Sequence, residues 1–136
     1  IKDAVAFFGS QCISISVDAY KTSGGYKIHN KLDLDINLSQ FIYDMTNCEV
    51  GEFIINSVDN DGMSNGFDIN LINLVEEMTN IPIVAVGGGG CLSHYKELFT
   101  KTTLKAVGSA SIFHFTQYTP QDIKRELQSI NIPIRI

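Results

Sequence analysis

The chain has 136 residues, 44% of them hydrophobic, which suits one globular domain and is too short for two independent ones. Its 15 acidic residues outnumber the 10 scattered lysines and arginines, and no apolar run reaches the roughly 20 residues that cross a bilayer, so neither a nucleic-acid partner nor a membrane span is expected. The three cysteines are far apart and odd in number, and the three histidines lack paired spacing, so we expect reduced thiols and no metal site. The N-terminus has no basic segment followed by a signal-type apolar core, so a cytoplasmic protein is expected.

The first predicted elements are a helix-like opening, a strand and a helix. The chain begins at Ile1 rather than Met and enters the helix-like segment at once, as a fragment would. Residues 12–17 (CISISV) are rich in β-branched side chains and end at Asp18, which predicts a strand closed by a carboxylate. After a polar loop with two glycines, residues 37–47 place apolar side chains at i, i+3, i+4 and i+7, the spacing of a helix with one buried face.

The same strand-to-helix pattern then repeats three times. The remaining predicted elements are, in chain order, a strand at 52–58, a helix at 68–79 capped by Asp68, a strand at 81–86, a short helix at 93–99, a strand at 105–109 and a helix opened by Thr119 and Pro120. The order βαβαβαβα predicts an α/β fold with a parallel sheet, because each crossover between parallel strands lays a helix over it. Four such units fit either a small doubly wound sheet or half of a (β/α)8 barrel, and periodicity alone does not choose between them.

Polar and small residues follow the predicted strands, at the positions where both architectures bind ligands. Carboxylates follow the first two strands, at Asp18 and then at Asp59 and Asp61. Small residues follow the other two, with glycine at 87–90 and a Ser-Ala-Ser segment at 109–111. This segregation predicts one side suited to proton transfer and another suited to an anion, because backbone N–H groups can approach a phosphate at a glycine-rich turn.

Each of these features also has a purely structural interpretation. An acidic residue at a strand end often caps a turn, Asn-Asp-Gly is a strong turn signal, and a glycine run can be no more than a flexible turn. The glycine run matches neither common phosphate fingerprint. A calcium loop is disfavoured at Asp59 and Asp61, since no glutamate completes it at the required distance.

Four blocks of the sequence closely resemble successive blocks of one family. They are, in order, FFGSQCISISVDAYK, GEFIINSVDNDGMSNGFDINLI, NIPIVAVGGGG and VGSASIFHF. The family is the cyclase subunit of imidazole glycerol phosphate synthase, a barrel that uses ammonia from a glutaminase subunit to make imidazole glycerol phosphate and AICAR from a ribulosyl-phosphate in histidine biosynthesis. The resemblance implies that residues 1–136 form a single C-terminal half-barrel, βα units 5 to 8 of a (β/α)8 TIM barrel, with the N-terminal half absent.

The resemblance also implies roles for individual residues. Asp18 matches the family's general acid, the second of its two catalytic aspartates. The segment that lines the substrate is matched by Ser57, Asp59, Asp61 and Gly62. The two phosphate grips are matched by Gly87, Gly88, Ala110 and Ser111. The implied partners are a glutaminase subunit and a phosphorylated small-molecule substrate, and the resemblance implies no cofactor and no metal.

Three departures from the family pattern keep alternatives open. The family's other catalytic aspartate has no counterpart here, so the chain by itself should not complete the reaction. The loop after the first strand carries bulkier residues than the family's small ones, at His29, Asn30, Leu34 and Asp35. Asn60 stands where the family usually has an arginine, and Met63 where it has a threonine. Two alternatives follow: a cyclase-like paralogue that passes ammonia to a sugar amidotransferase for surface polysaccharides, and a non-catalytic half-barrel that self-associates through its sheet edges.

Overall fold

The computed structural model describes residues 1–135 and alternates strands with helices along the chain. The helices are α1 (Lys2–Phe8), α2 (Leu38–Thr46), α3 (Ile69–Met78), α4 (Leu92–Lys101), α5 (Ser111–Phe115) and α6 (Pro120–Ser129). The strands are β1 (Ser14–Thr22), β2 (Gly25–Ile28), β3 (Glu52–Ser57), β4 (Ile83–Val86) and β5 (Ala106–Val107). Among the described residues, no helix combines the length and the apolar character that a bilayer crossing requires.

The strands form one sheet in the order β2-β1-β3-β4-β5. Strands β1, β3, β4 and β5 pair in parallel, and β2 pairs antiparallel with β1 at one edge. A helix lies between each parallel strand and the next along the chain, and α6 follows the last. The predicted fold class is therefore confirmed: an α/β chain of four βα units with a parallel sheet, as in one half of a (β/α)8 barrel.

The two faces of the sheet meet different surroundings. Alternate residues of the central strand, Phe53, Ile55 and Ser57, are buried, as are their neighbours on β1 and β4. These side chains share one core with the buried residues of α2, α3, α4 and α6, so the helices cover this face. The opposite face is more open: Asp18 is exposed, and Ile54 and the side chains beside it on β4 are only half-buried. We call this second surface the open face.

The first strand differs from its prediction. It begins at Ser14, because residues 10–12 form a short 3₁₀ turn, and it continues past Asp18 to Thr22. The polar loop expected after it is instead a β-hairpin, in which Thr22 pairs with Gly25 across a two-residue turn. Gly25 adopts a φ of 115°, which a side chain would disfavour. Asp18 thus lies within a strand rather than closing one.

Helix starts agree with the predicted caps. The Asp68 side chain accepts a hydrogen bond from the Leu71 N–H at 3.0 Å and begins α3. Thr119 begins α6 with a reciprocal capping box to Asp122, and Pro120 occupies the first turn. These short-range signals placed two of the helix starts correctly from the sequence alone.

Two hydrogen-bonding contacts, besides the pairing of β1 with β3, fasten the hairpin to the segment between β3 and α3. The Tyr26 hydroxyl donates to both carboxylate oxygens of Asp68, at 3.0 and 3.1 Å. Burial, together with this hydrogen bond, raises the pKa of Tyr26 to about 12. The Lys21 backbone N–H donates to Asp59 Oδ2 at 2.7 Å. Both acceptors belong to the segment that joins β3 to α3, so this segment and the hairpin hold each other in place.

Replacing Tyr26 with phenylalanine keeps the ring and removes the hydroxyl. We expect the free energy of unfolding to fall by about 1–2 kcal/mol, because a hydrogen bond to a charged acceptor is lost at a half-buried site. Urea unfolding at pH 7 measures the difference. Tyr43→Phe is the matched control, since the Tyr43 side chain is exposed on α2.

The stability difference between wild type and Tyr26→Phe should also depend on pH. Because the pKa of Tyr26 is raised from 10.0 to about 12 in the folded state, its contribution is complete below about pH 10 and is lost as the pH rises to about 12. The stability difference between wild type and Tyr26→Phe should shrink across this window. A difference that is absent at pH 7, or constant up to pH 12, contradicts the assignment.

Candidate active site

Asp18 lies on the open face near the end of the parallel pairing. In the register of β1 and β3 it stands opposite Asn56, one pair before Ser57 ends β3. The Asn56 Nδ2 donates to Asp18 Oδ1 at 3.0 Å. Since Asp18 is exposed, its carboxylate can meet a ligand in front of this face.

The hairpin supplies a second wall beside Asp18. The His29 backbone N–H donates to the Asp18 carbonyl at 2.7 Å. The rings of Tyr20 and His29 meet edge to face with their centroids 6.4 Å apart. Tyr20 is two residues from Asp18 on the same strand, so both rings lie on the open face. His29 therefore borders the site, at one of the positions where the sequence departs from the family pattern.

The segment after β3 holds the next group of predicted site residues. The Ser57 side chain is 2% exposed and lies on the helix-covered face, while its carbonyl accepts from the N–H groups of Asn60 and Asp61, at 3.2 and 2.9 Å. Asp59 is held by the hairpin, and Asp61 is exposed next to Gly62, which has a φ of 74°. The two aspartates thus stand at the carboxyl end of β3. Substrate contacts by this group stay predictions.

The turn after β4 requires glycine at two successive positions. Gly87 and Gly88 adopt φ values of 88° and 100°. A Cβ on Gly87 would stand 2.7 Å from Asn56 Oδ1 and 2.9 Å from the Ser57 carbonyl. The Gly88 carbonyl accepts from the Gly66 N–H at 2.9 Å, and a Cβ on Gly88 would collide with the Gly66 oxygen. The turn is therefore a fixed shape that the neighbouring backbone defines, rather than a flexible link.

Small residues after β5 lie beside this turn, because β5 pairs in parallel with β4. The buried Tyr95 hydroxyl donates to Ser109 Oγ at 2.6 Å, and burial raises the pKa of Tyr95. Ala110 precedes α5 and Ser111 begins it. Predicted phosphate grips thus follow two adjacent strands, although phosphate binding itself stays a prediction.

One residue that the sequence reasoning missed connects these groups. Asn56 contacts Asp18 on one side and approaches Gly87 on the other. Its signal was a polar side chain inside the apolar run of β3, one position before the strand ends. Within residues 1–135, no group of three or more His, Cys, Asp or Glu side chains is arranged to hold a metal ion. The groups that the described residues bring to this site are carboxylates, an amide, backbone N–H groups and the rings of Tyr20 and His29.

Comparison with known proteins decides the family. The family model described as "Histidine biosynthesis protein" matches residues 1–119. The chain belongs to this family. The match covers all four blocks that carried the sequence resemblance, so the membership predicted from those blocks is confirmed.

Similar curated relatives from three bacteria are described as imidazole glycerol phosphate synthase subunit HisF. The chain is 36% identical over 141 residues to imidazole glycerol phosphate synthase subunit HisF of Clostridium botulinum and to that of Clostridium beijerinckii. It is 34% identical over 140 residues to the HisF subunit of Bacillus cereus (strain AH187). Each match covers 100% of this chain and 56% of the relative. The chain therefore spans about half the length of the family members it matches.

Replacing Gly87 with alanine tests the fixed shape of the glycine turn. We expect the free energy of unfolding to fall by roughly 1–3 kcal/mol, since a left-handed φ is costly for alanine and the new Cβ would crowd Asn56 and Ser57. Gly24→Ala is the matched control, because a Cβ there meets nothing within 4 Å. Urea unfolding of both variants measures the effect. Equal losses for the two would show that the turn is as tolerant as an open loop.

Proposed function

We propose that this chain supplies half of the cyclase barrel of imidazole glycerol phosphate synthase. The complete enzyme would use ammonia to form imidazole glycerol phosphate and AICAR from a ribulosyl-phosphate, in the cytoplasm, as part of histidine biosynthesis. One observation carries the proposal: in a chain of this family, an exposed carboxylate on β1 and a glycine turn after β4 lie on either side of Asn56. The proposed proton donor and the proposed phosphate-binding turn thus lie on two strands that have β3 between them.

The residues divide into three roles in this proposal. Asp18 is the general acid, because it is exposed on the open face and oriented by a neutral amide. Gly87 and Gly88 present backbone N–H groups to the substrate phosphate, joined by the backbone of Ala110 and Ser111 from the adjacent strand. The remaining contacts to the substrate come from the segment after β3, through Asp59, Asp61 and Gly62. The buried Ser57 side chain faces the helices, so its proposed role is to support this segment through its carbonyl, which accepts from the Asn60 and Asp61 N–H groups.

The chain requires a complement to perform this reaction. A single carboxylate cannot act as base and acid on opposite sides of one ring, and the curated relatives are about twice as long as their match to this chain. In the proposed enzyme, the second carboxylate and the other four strands face the open face from the rest of the barrel. A glutaminase subunit is the proposed source of ammonia, and the reaction needs no cofactor.

Replacing Asp18 with asparagine tests its role in the entire natural protein that carries this chain. We expect ammonia-dependent turnover of the ribulosyl-phosphate to fall by a factor of roughly 10² or more, because the amide cannot donate a labile acid proton. Asp44→Asn, on the exposed side of α2, is the matched control and should leave turnover unchanged. An active wild type with an equally active Asp18→Asn variant would remove Asp18 from the mechanism.

A second candidate, the ammonia-conducting paralogue, is favoured by one observation near the site. Asn60, at the position of the family's arginine, donates its Nδ2 to the Gly66 carbonyl at 2.7 Å. It therefore closes the loop after β3 instead of placing a positive charge between Asp59 and Asp61. If the natural protein binds a glutaminase partner but does not turn over the ribulosyl-phosphate with ammonia, this second function replaces the first.

Self-association is proposed for the 136-residue chain on its own. Its open face carries half-buried Ile54, Val84 and Val86 beside exposed polar side chains, and the outer side of β5 ends the sheet. Leaving such a face and edge in water is costly, so we expect a dimer or larger species at micromolar concentration. Sedimentation velocity measures the mass, and a clean monomer at that concentration would contradict the expectation. A stable oligomer in an inactive natural protein would favour the assembly-module alternative.

A further inference from the structure

Asn56 is fixed by strand pairing on both of its sides. It lies on β3, which pairs on both sides, opposite Asp18 on β1 and opposite Val86 on β4. Its backbone therefore cannot shift without disturbing two strand pairings. Its side chain points to the open face, where the glycine at position 87 leaves room for Oδ1. The position is thus fixed, and rotation of the side-chain amide is the freedom that remains.

Of the two polar atoms of the Asn56 side chain, Nδ2 has a hydrogen-bond partner and Oδ1 has none among the described residues. Nδ2 donates to Asp18 Oδ1 at 3.0 Å, and among the described residues no other side chain forms a hydrogen bond with that carboxylate. Oδ1 is buried and has no donor within the described chain. A buried acceptor without a partner is costly, so the orientation of the amide is set by Asp18 rather than by the needs of Asn56 itself.

We infer that Asn56 is a positioning residue that holds Asp18 in both of its protonation states during the proposed proton transfer. The inference rests on the proposed function of Asp18 as a general acid. Toward the ionised carboxylate, which only accepts hydrogen bonds, the amide must present Nδ2, as observed. Toward the protonated acid, half a turn about the terminal side-chain torsion presents Oδ1, which accepts from the acid O–H.

Proton transfer is balanced without any change at Asn56. The proton leaves the Asp18 oxygen for the ligand atom that is protonated, the Asp18 carboxylate takes up the negative charge, and the amide keeps both of its hydrogens. The amide then returns to the orientation in which Nδ2 donates. A carboxylate at position 56 could not hold the ionised form of Asp18, because two ionised carboxylates would repel at this separation.

Other polar groups near Asp18 differ from Asn56 in charge or in placement. Tyr20 on β1 and His29, directly after β2, border the open face, and Asp59 and Asp61 follow β3. Strand β4 contributes an apolar side chain at this level, Val86. Asn56 is thus the neutral group that touches the carboxylate, and it is placed to orient Asp18 without competing for its proton.

The first test is a double-mutant cycle in the entire natural protein. Asn56→Leu has a similar shape and no polar atoms, and we expect it to lower kcat by roughly 10-fold to 10²-fold through misplacement of Asp18, with KM changed by less than about twofold. In an Asp18→Asn background the same substitution should have little further effect. Asn56→Thr, whose hydroxyl can donate or accept, should recover part of the loss. Full, additive losses in both backgrounds would overturn the inference.

A second readout needs no turnover and separates this inference from the proposed function. Without substrate, the side-chain amide ¹H–¹⁵N signals of Asn56, assigned by their loss in Asn56→Leu, should move in Asp18→Asn and stay in place in Asp44→Asn. Signals that do not respond to Asp18 would overturn the inference even in an active enzyme. Signals that respond in a protein without cyclase activity would support the contact and reject the cyclase proposal. A variant that fails to fold is recognised in the same spectra, and Asn56→Thr then takes its place in the cycle.

Discussion

The site depends on the pairing of β3 with a strand on each side. This register sets Asp18, Asn56 and Val86 in one row across three strands, so the carboxylate, the amide and the start of the glycine turn follow one another along the sheet. Alternation along the same strand sends Phe53 and Ile55 into the core. A slip of one residue would turn the buried side chains outward and carry the amide away from its neighbours. Core and site are thus specified by the same set of backbone hydrogen bonds.

Much of the architecture follows from short-range patterns. Apolar runs predicted the parallel strands, helical spacing predicted the helices between them, and caps at Asp68 and Thr119 placed two helix starts. The edge of the sheet that carries the polar and small residues was also predictable, because the carboxyl ends of parallel strands share one side. These features depend on residues that are close together in the chain, and for that reason the sequence displays them.

Features that rest on distant contacts were not predictable. The extension of β1 into a hairpin depends on Tyr26 reaching Asp68, 42 residues away, and on the contact of Lys21 with Asp59. The part played by Asn56 depends on pairing with a strand 38 residues earlier and on a glycine that leaves room for its oxygen. The periodicity of one segment does not identify partners that are distant in the chain. A single polar residue in an apolar strand is compatible with many different contacts.

The open face combines an exposed carboxylate with partly exposed apolar side chains. The carboxylate at Asp18 and the half-buried Ile54 and Val84 share this surface, so the side chains that would line the proposed reaction chamber are also those that we expect to drive self-association in water. Polar substitutions that improved the solubility of the chain would therefore alter the chamber wall at the same time. Substitutions on this face therefore affect both the proposed reaction chamber and the solubility of the chain. Sequence variation should accumulate on the outer surfaces of the helices instead.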